Sequence, residues 1–497
     1  MLPKAECKLR ALAGVTGTRR NARRAAPARC GAAALVLLSL GCGGAGAQTI
    51  DDLFDEIPAE DAPAAAEETK EQTGLDALFD DPAAAQAQGP LDAIRFSGFV
   101  QNELGYIYSG DEHFNKFRTV AKLKFEGTFN GLRWHAGGHM VYNPVFAFED
   151  FFPDRVEENY DFYGWLDETY IDTGVGNWEF RLGRQHIIWG EVVGLFFADV
   201  VSALDLREFI LPDFDLIRIP QWAARAEYFA GDYYLDFIYV PVVTADQIGE
   251  PGGDYYGFPP PPPQPGVVPV YLDADEPDLE LGSGGVGVRG AYIKDGWDLA
   301  AFFYSSIDHS AAFERTVTSG PGPLATATYR PNHERIHQFG ATLAKDFGDF
   351  VLKSEAVYTL DRRYAVQDLA DADGLSEQNE LRYTIGLDYV RGEHTFNAQF
   401  FQFYLPDRVP TMVPDKLESG ITLFATTQAL HPDVTPEVLW IRSLNREEWL
   451  LQAKVTWQFE QNWRAVAGVD VFEGPLLSLF GQFDRSDRVY YELRYSF

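Results

Sequence analysis

From Ile94 to the C-terminus the sequence repeats with a period of two. In the first segment Ile94, Phe96, Gly98, Val100, Leu104, Tyr106 and Tyr108 share one face, and Arg95, Ser97, Gln101 and Glu103 share the other. In the second, Phe117, Thr119, Ala121, Leu123, Phe125 and Phe129 oppose Lys116, Arg118, Lys122, Lys124 and Glu126. Successive side chains alternate across a strand and not along a helix, so runs of this length read as β-strand. The pattern returns near 132–142, 162–172, 177–185, 221–230, 232–241, 286–294, 297–308, 336–346, 349–360, 380–391, 394–405, 448–460, 462–472 and 488–497, giving about sixteen strands within a range of 14–18.

The joins constrain the fold further. Short turns at Asn130-Gly131, Thr173 to Gly176, Gly231-Asp232, Lys294 to Gly296, Phe347-Gly348, Gly392-Glu393 and Gln461-Asn462 alternate with long loops. The proline-rich stretch 242–285 and most of 406–446 read as external loops, because proline gives no ladder donor. Brief turns on one side and long loops on the other are the asymmetry of an up-and-down antiparallel outer-membrane barrel. In hydrocarbon only helices or closed barrels satisfy every backbone polar group, and no segment after residue 47 reaches the ~20 apolar residues of a spanning helix. Outward aromatics near strand ends, among them Trp134, Trp178, Trp222, Trp297, Trp449, Trp457 and Trp463, are placed as interfacial girdles beside membrane lipid.

Composition separates the chain into three parts. Residues 1–29 carry eight bases and one acid, an uncharged apolar stretch follows, and Ala45-Gly46-Ala47 closes it, which predicts a cleaved signal peptide over 1–47 and export to a Gram-negative envelope. All three cysteines (Cys7, Cys30, Cys42) lie in that segment, so a disulfide scaffold is excluded. Residues 48–92 hold 13 acids and one base among many Ala and Pro, the composition of a disordered periplasmic arm. Within it Asp52-Leu53-Phe54-Asp55 is echoed by Ala77-Leu78-Phe79-Asp80, either a chance of biased composition or a doubled docking peptide. The barrel occupies 93–497, and a formal charge of −33 excludes a nucleic-acid partner.

The last strand alternates Val489, Tyr491, Leu493, Tyr495 and the terminal Phe497 against Arg488, Tyr490, Glu492, Arg494 and Ser496. Tyr491, Leu493, Tyr495 and Phe497 resemble the C-terminal signal read by the barrel assembly machinery. Together with Leu182-Gly183-Arg184-Gln185, Trp189-Gly190-Glu191, Phe480-Gly481-Gln482 and Asp487 to Tyr490, this segment resembles the proteobacterial DUF1302 outer-membrane family over roughly residues 94–497. The resemblance implies a barrel of the porin or exporter-associated kind, with no agreed substrate and no catalytic residue to carry over.

Two motifs mimic other chemistry. His333-Glu334-Arg335-Ile336-His337 fits the zinc-protease pattern, but in a strand its histidines stand ~13 Å apart, too far to share an ion. His135 and His139 fail as a chelating pair by the same geometry. Gly282 to Gly287 fits a dinucleotide fingerprint but enters a strand instead of a helix. No cofactor, no metal site and no enzymatic role is therefore expected.

The inward sets of the second and third strands are basic: Lys116, Arg118, Lys122, Lys124, then Arg133, His135 and His139. Such ladders attract anions, unless Glu103, Glu126, Glu179 and Glu227 pair with them. Residues 192–220 are too apolar for a free external loop, and either fold inward as a constriction bearing Arg184 and Arg207 or pack on the outer rim. The expected function is a porin-like channel for small polar or anionic solutes. The alternative is a gated barrel serving an inner-membrane exporter of the resistance-nodulation-division type, docked to it or to a periplasmic partner through residues 48–92.

Overall fold

The computed structural model describes residues 94–190, 198–212, 214–257, 266–272, 283–319, 324–412 and 414–497. The expected signal peptide and acidic arm lie outside these residues. Eighteen antiparallel strands form one sheet: β1 Arg95–Ile107, β2 His113–Phe129, β3 Leu132–Tyr142, β4 Phe162–Val175, β5 Trp178–Gln185, β6 Gln221–Ala230, β7 Tyr233–Val240, β8 Gly285–Lys294, β9 Trp297–Ile307, β10 Arg335–Asp346, β11 Phe350–Ala365, β12 Leu375–Arg391, β13 His394–Tyr404, β14 Leu417–Thr427, β15 Val434–Ser443, β16 Trp449–Glu460, β17 Trp463–Glu473 and β18 Arg488–Ser496. Each pairs with the next in sequence, and β18 returns to β1 over Phe99↔Ser496 to Ile107↔Arg488, which closes the cylinder and leaves no sheet edge. The C-terminal residue extends the seam, where Phe497 and Gly98 exchange backbone hydrogen bonds of 2.8 and 2.9 Å.

The period-two pattern does what the sequence requires of it. Phe96, Val100 and Leu104 of β1, Phe117 and Phe125 of β2, and Val489, Tyr491 and Tyr495 of β18 are exposed on the outside, whereas Gln101, Glu103, Lys116, Lys122, Arg488 and Arg494 are buried within. No described helix is long and apolar enough to cross a membrane. On the turn side the outward aromatics form a girdle of contacts, including Tyr233–Tyr292 at 5.1 Å, Phe350–Tyr389 at 4.8 Å and Trp463–Tyr495 at 4.9 Å between centroids. Tight turns close this side: Asn130 and Gly131 have φ of 51° and 80°, and Asp295 and Gly296 of 52° and 71°, the left-handed pair that two-residue hairpins demand.

Two strands exceed the sixteen read from sequence, and both come from 406–446. β14 and β15 pair over Gly420↔Ser443 to Thr426↔Glu437, with Gln428 to Asp433 as their turn. The prolines that argued against a strand sit where they cost no ladder: Pro432 is in the turn, and Pro436 lies beyond the β14 pairing, opposite Val455 of β16 alone. The described residues of 242–284 add no strand to the barrel, although Val267–Tyr271, Pro269 included, runs parallel to Ala325–Asn332 as the edge of a separate three-stranded sheet.

Candidate functional site

The third external loop departs from the rim. Its segment 198–212 packs among inward-facing side chains on opposite sides of the cylinder. At one end Ala198, Val200 and Val201 bury against Ile187 and Trp189 and against the inward Ile238, Phe302, Tyr304 and Val357 of β7, β9 and β11. At the other, Leu211, with Phe209 and Ile210, meets Ile107 of β1, Ile441, Leu450 and Phe472 of β15 to β17, and Phe480 and Phe483 of the last loop. Burial of a large apolar side chain contributes about 1.5–3 kcal/mol, so the segment is bolted at both ends.

Polar contacts fix it in register. The Ala198 N–H donates to Glu355 Oε2 on β11 at 3.0 Å, the Leu204 N–H to Asp246 Oδ1 at 2.8 Å, and Arg218 Nε to Asp199 Oδ2 at 2.6 Å. Trp189 Nε1 donates to Asp236 Oδ2 on β7 at 3.0 Å, and Asp236 is also gripped by Arg225 Nε and Nη2 at 3.0 and 2.9 Å. Irregular backbone at this depth is tolerated because it is enclosed by protein.

Between the two anchors stands Glu208. Alternation along β2 puts Lys116 and Arg118 on the inner face, and the regular register, which holds up to the bulge at Asn115, sets Lys116 across from Gly105 and Arg118 directly across from Glu103. Glu103 Oε2 accepts from Lys116 Nζ at 3.2 Å and from Arg118 Nε at 2.6 Å. On the neighbouring seam Arg488 of β18 lies opposite Asp470 of β17, and its Nε donates to Asp470 Oδ2 at 2.5 Å. All three cations turn toward Glu208, which pairs with Lys116 and Arg118 and lies 3.3 Å from Arg488 Nη1. Burial alone would raise the Glu208 carboxyl, but Arg118, Lys116 and Arg488 hold it well below the usual carboxylate range.

The expected basic ladder is therefore a wall of ion pairs. Lys122 Nζ lies 2.7 Å from Asp167 Oδ2, and Arg133 Nη2 lies 2.7 Å from Asp172 and 3.7 Å from Glu179. Lys124 faces inward too, paired in register with Ser97 and Gly137. Glu126 and Glu227 are engaged by His135 and Arg225. Arg207 is on the inward-folded segment, in an ion pair with Asp205 at 2.5 Å and with its guanidinium 3.8 Å above the centroid of the Tyr163 ring. Arg184 departs from the expectation. It sits across from Trp222 of β6, two residues from the exposed Leu182, so alternation puts it on the outward face near the loop-side rim and not on the lumen wall.

Sequence reading passed over Glu208, Arg488, Asp167 and Asp470 as site residues. The signal for Glu208 was an acid next to Arg207 in the apolar run Leu204 to Phe214, while Arg488 was already on the inward register of the last strand. His333 caps the end of the external hairpin with its Nδ1 2.8 Å from the Asp308 carbonyl, and His337 is in β10 opposite Ser305. No group of three His, Cys, Asp or Glu among the described residues could hold a metal ion. Gly287 belongs to β8, where a Cβ would come within 2.8 Å of the Trp189 ring, so that glycine makes room for an anchor of the third loop.

The profile of a family described as a protein of unknown function, DUF1302, matches residues 148–497. The chain belongs to the DUF1302 family. In this DUF1302 barrel the match begins after β3, so Glu103, Lys116 and Arg118 lie outside it and Glu208, Asp470 and Arg488 within it. The residues that carried the resemblance have structural work: Trp189 anchors the third loop, Phe480 closes its far end and Asp487 joins three elements at the rim.

Solved outer-membrane proteins share the architecture. Acinetobacter baumannii OccAB1 superposes with a TM-score of 0.50 at 9% identity, covering 83% of this chain and 98% of that one. Pseudomonas aeruginosa OccK1 (OpdK) gives 0.49 at 11%, covering 82% and 100%, and Salmonella typhi OmpF, solved with daunomycin, gives 0.40 at 11%, covering 81% and 97%. At such identities the likeness bears on the fold alone. No curated protein matches the sequence.

Proposed function

We propose that this chain is a porin-like outer-membrane channel that passes small polar or anionic solutes through a lumen narrowed by residues 198–212. The observation that carries the reading is the placement of Glu208. A loop segment anchored on opposite walls sets one carboxylate against inward cations from β2 and β18. A barrel that served only as a membrane anchor would have no need to ring its interior with charged side chains, whose burial costs several kcal/mol per ion unless paired.

In the same proposal the chain is exported by a signal peptide removed after Ala47, and residues 48–92 form a periplasmic arm that docks an exporter or periplasmic partner. Co-purification of a partner that survives deletion of 48–92 would remove that role. Liposome swelling tests the channel. Proteoliposomes should swell in isosmotic pentoses and in small monocarboxylate salts, and absence of swelling in every solute below the size of a disaccharide would refute it.

A further inference from the structure

We propose that the lumen holds a binding site for a monocarboxylate with an aromatic or apolar body, and that Glu208 occupies the headgroup position in the solute-free barrel. The inference deepens the channel reading and rests on it for its biological sense, but it is argued from one constellation. Lys116, Arg118 and Arg488 converge on the Glu208 carboxylate. Each of these cations also has a fixed carboxylate in the wall: Glu103 serves Lys116 and Arg118, and Asp470 serves Arg488. Three cations face two wall acids, so these five wall groups carry one surplus positive charge, which Glu208 cancels; Asp254 and Arg207, which line the same cavity, are engaged by His113 and Asp205. Lys116 and Arg488 are at most 6% exposed, so a loss of Glu208 would leave a charge that water cannot fully screen.

Two further features point the same way. A cavity of about 60 Å³ adjoins the cluster, lined by Lys116, Arg118 and Glu208 on one side and by Phe146, Phe152, Tyr160, Tyr163 and Tyr255 on the other. A charged end and an aromatic end within one cavity fit an anion with a ring or short apolar body. Glu208 is also followed by a backbone that is not at rest. Phe209 has φ of 55°, a left-handed conformation that costs a bulky residue about 1–2 kcal/mol, and its ring is wedged 5.0 Å from that of Phe483. Release of Glu208 from the cations would let that turn relax. An incoming carboxylate can then take over the contacts of Glu208 while the wall acids stay in place.

Calorimetric titration of the purified full-length barrel in detergent with benzoate tests the site, and benzyl alcohol, benzylamine and acetate serve as controls. Benzoate is expected to bind more tightly than all three. Glu208→Gln, which removes the internal competitor, should tighten benzoate by about tenfold or more, and adding Lys116→Met to it, which removes the surplus charge, should abolish the gain. Glu208→Ala makes the same charge change should the glutamine variant not fold, and heat-modifiable mobility reports folding of each. Benzoate affinity unchanged or weakened in both Glu208 variants would overturn the proposal, as would equal binding of benzyl alcohol or acetate. Binding is read without transport: a conducting barrel that ignores benzoate refutes the site alone, and a benzoate-binding barrel that does not conduct refutes the channel alone.

Discussion

Arg488 on the last strand and Glu208 on the lumen-crossing segment, 280 positions apart in sequence, meet at 3.3 Å inside the barrel. Through them the closing seam of the cylinder and its internal segment become one unit, because Arg488 also holds the fully buried Asp470. Replacement of Arg488 by Met would leave the buried Asp470 without its cation and would take one of three cations from Glu208. Breaking one side of a buried ion pair costs about 3–5 kcal/mol, so Arg488→Met should lower the temperature of the heat-modifiable mobility shift markedly. A shift temperature equal to that of the native chain would show that the seam does not depend on this residue.

Three inward aromatics lie over glycines of the adjacent strand: Phe302 over Gly340, Phe401 over Gly420 and Tyr490 over Gly468. A Cβ on Gly340 would stand 2.1 Å from Phe302 Cζ, and Phe302 is part of the anchor of the third loop. Gly340→Ala should cost about 1–3 kcal/mol by overpacking. Gly138→Ala, where a Cβ meets nothing within 4 Å, is the matched control and should be close to neutral in urea unfolding of the detergent-solubilised barrel.

Asp487 joins three elements at the external rim. Its Oδ1 accepts from the Phe472 N–H at 2.7 Å, its own N–H donates to Ser109 Oγ at 2.9 Å, and its carbonyl accepts from the Tyr108 N–H at 3.0 Å. Burial raises its carboxyl to about 6, and the Phe472 hydrogen bond offsets only part of that. The folded rim thus binds a proton that the unfolded chain releases near pH 3.9, so its stability falls as pH rises from about 4 to 6 and is flat above. Amide exchange at Phe472 and Tyr108 should quicken over that window beyond the intrinsic change, and Asp487→Asn should remove the dependence. Equal pH profiles in both proteins would contradict this.

Phe497 stacks on Phe96 at 5.2 Å on the outer face, and its backbone pairs with Gly98. If the C-terminal residues also address the assembly machinery, deletion of Phe497 should reduce the amount in outer membranes several-fold while refolding in detergent micelles succeeds. Equal loss in both settings would make the residue structural only.

Most of the fold was legible because burial on one face and lipid on the other impose the same period on every strand. β14 and β15 were hidden by Pro432 and Pro436, since proline as a residue type gave no hint that it fell in a turn and at a strand end with one neighbour. The site was legible in part. Inward Lys116, Arg118, Lys122 and Arg133 followed from alternation, but their partners Asp167 and Glu208 depend on register and on the path of a loop, neither of which is local. Arg184 was misplaced for the opposite reason, because it was grouped with an inward loop when its own strand already set its face.

Planar-bilayer recording of the full-length barrel tests the central claim most directly. The wild-type protein should give discrete single-channel steps, and replacing residues 198–212 by a short Gly-Ser linker should enlarge them several-fold, because that segment narrows the lumen. No conductance above background in either protein, or steps of equal size in both, would contradict the account.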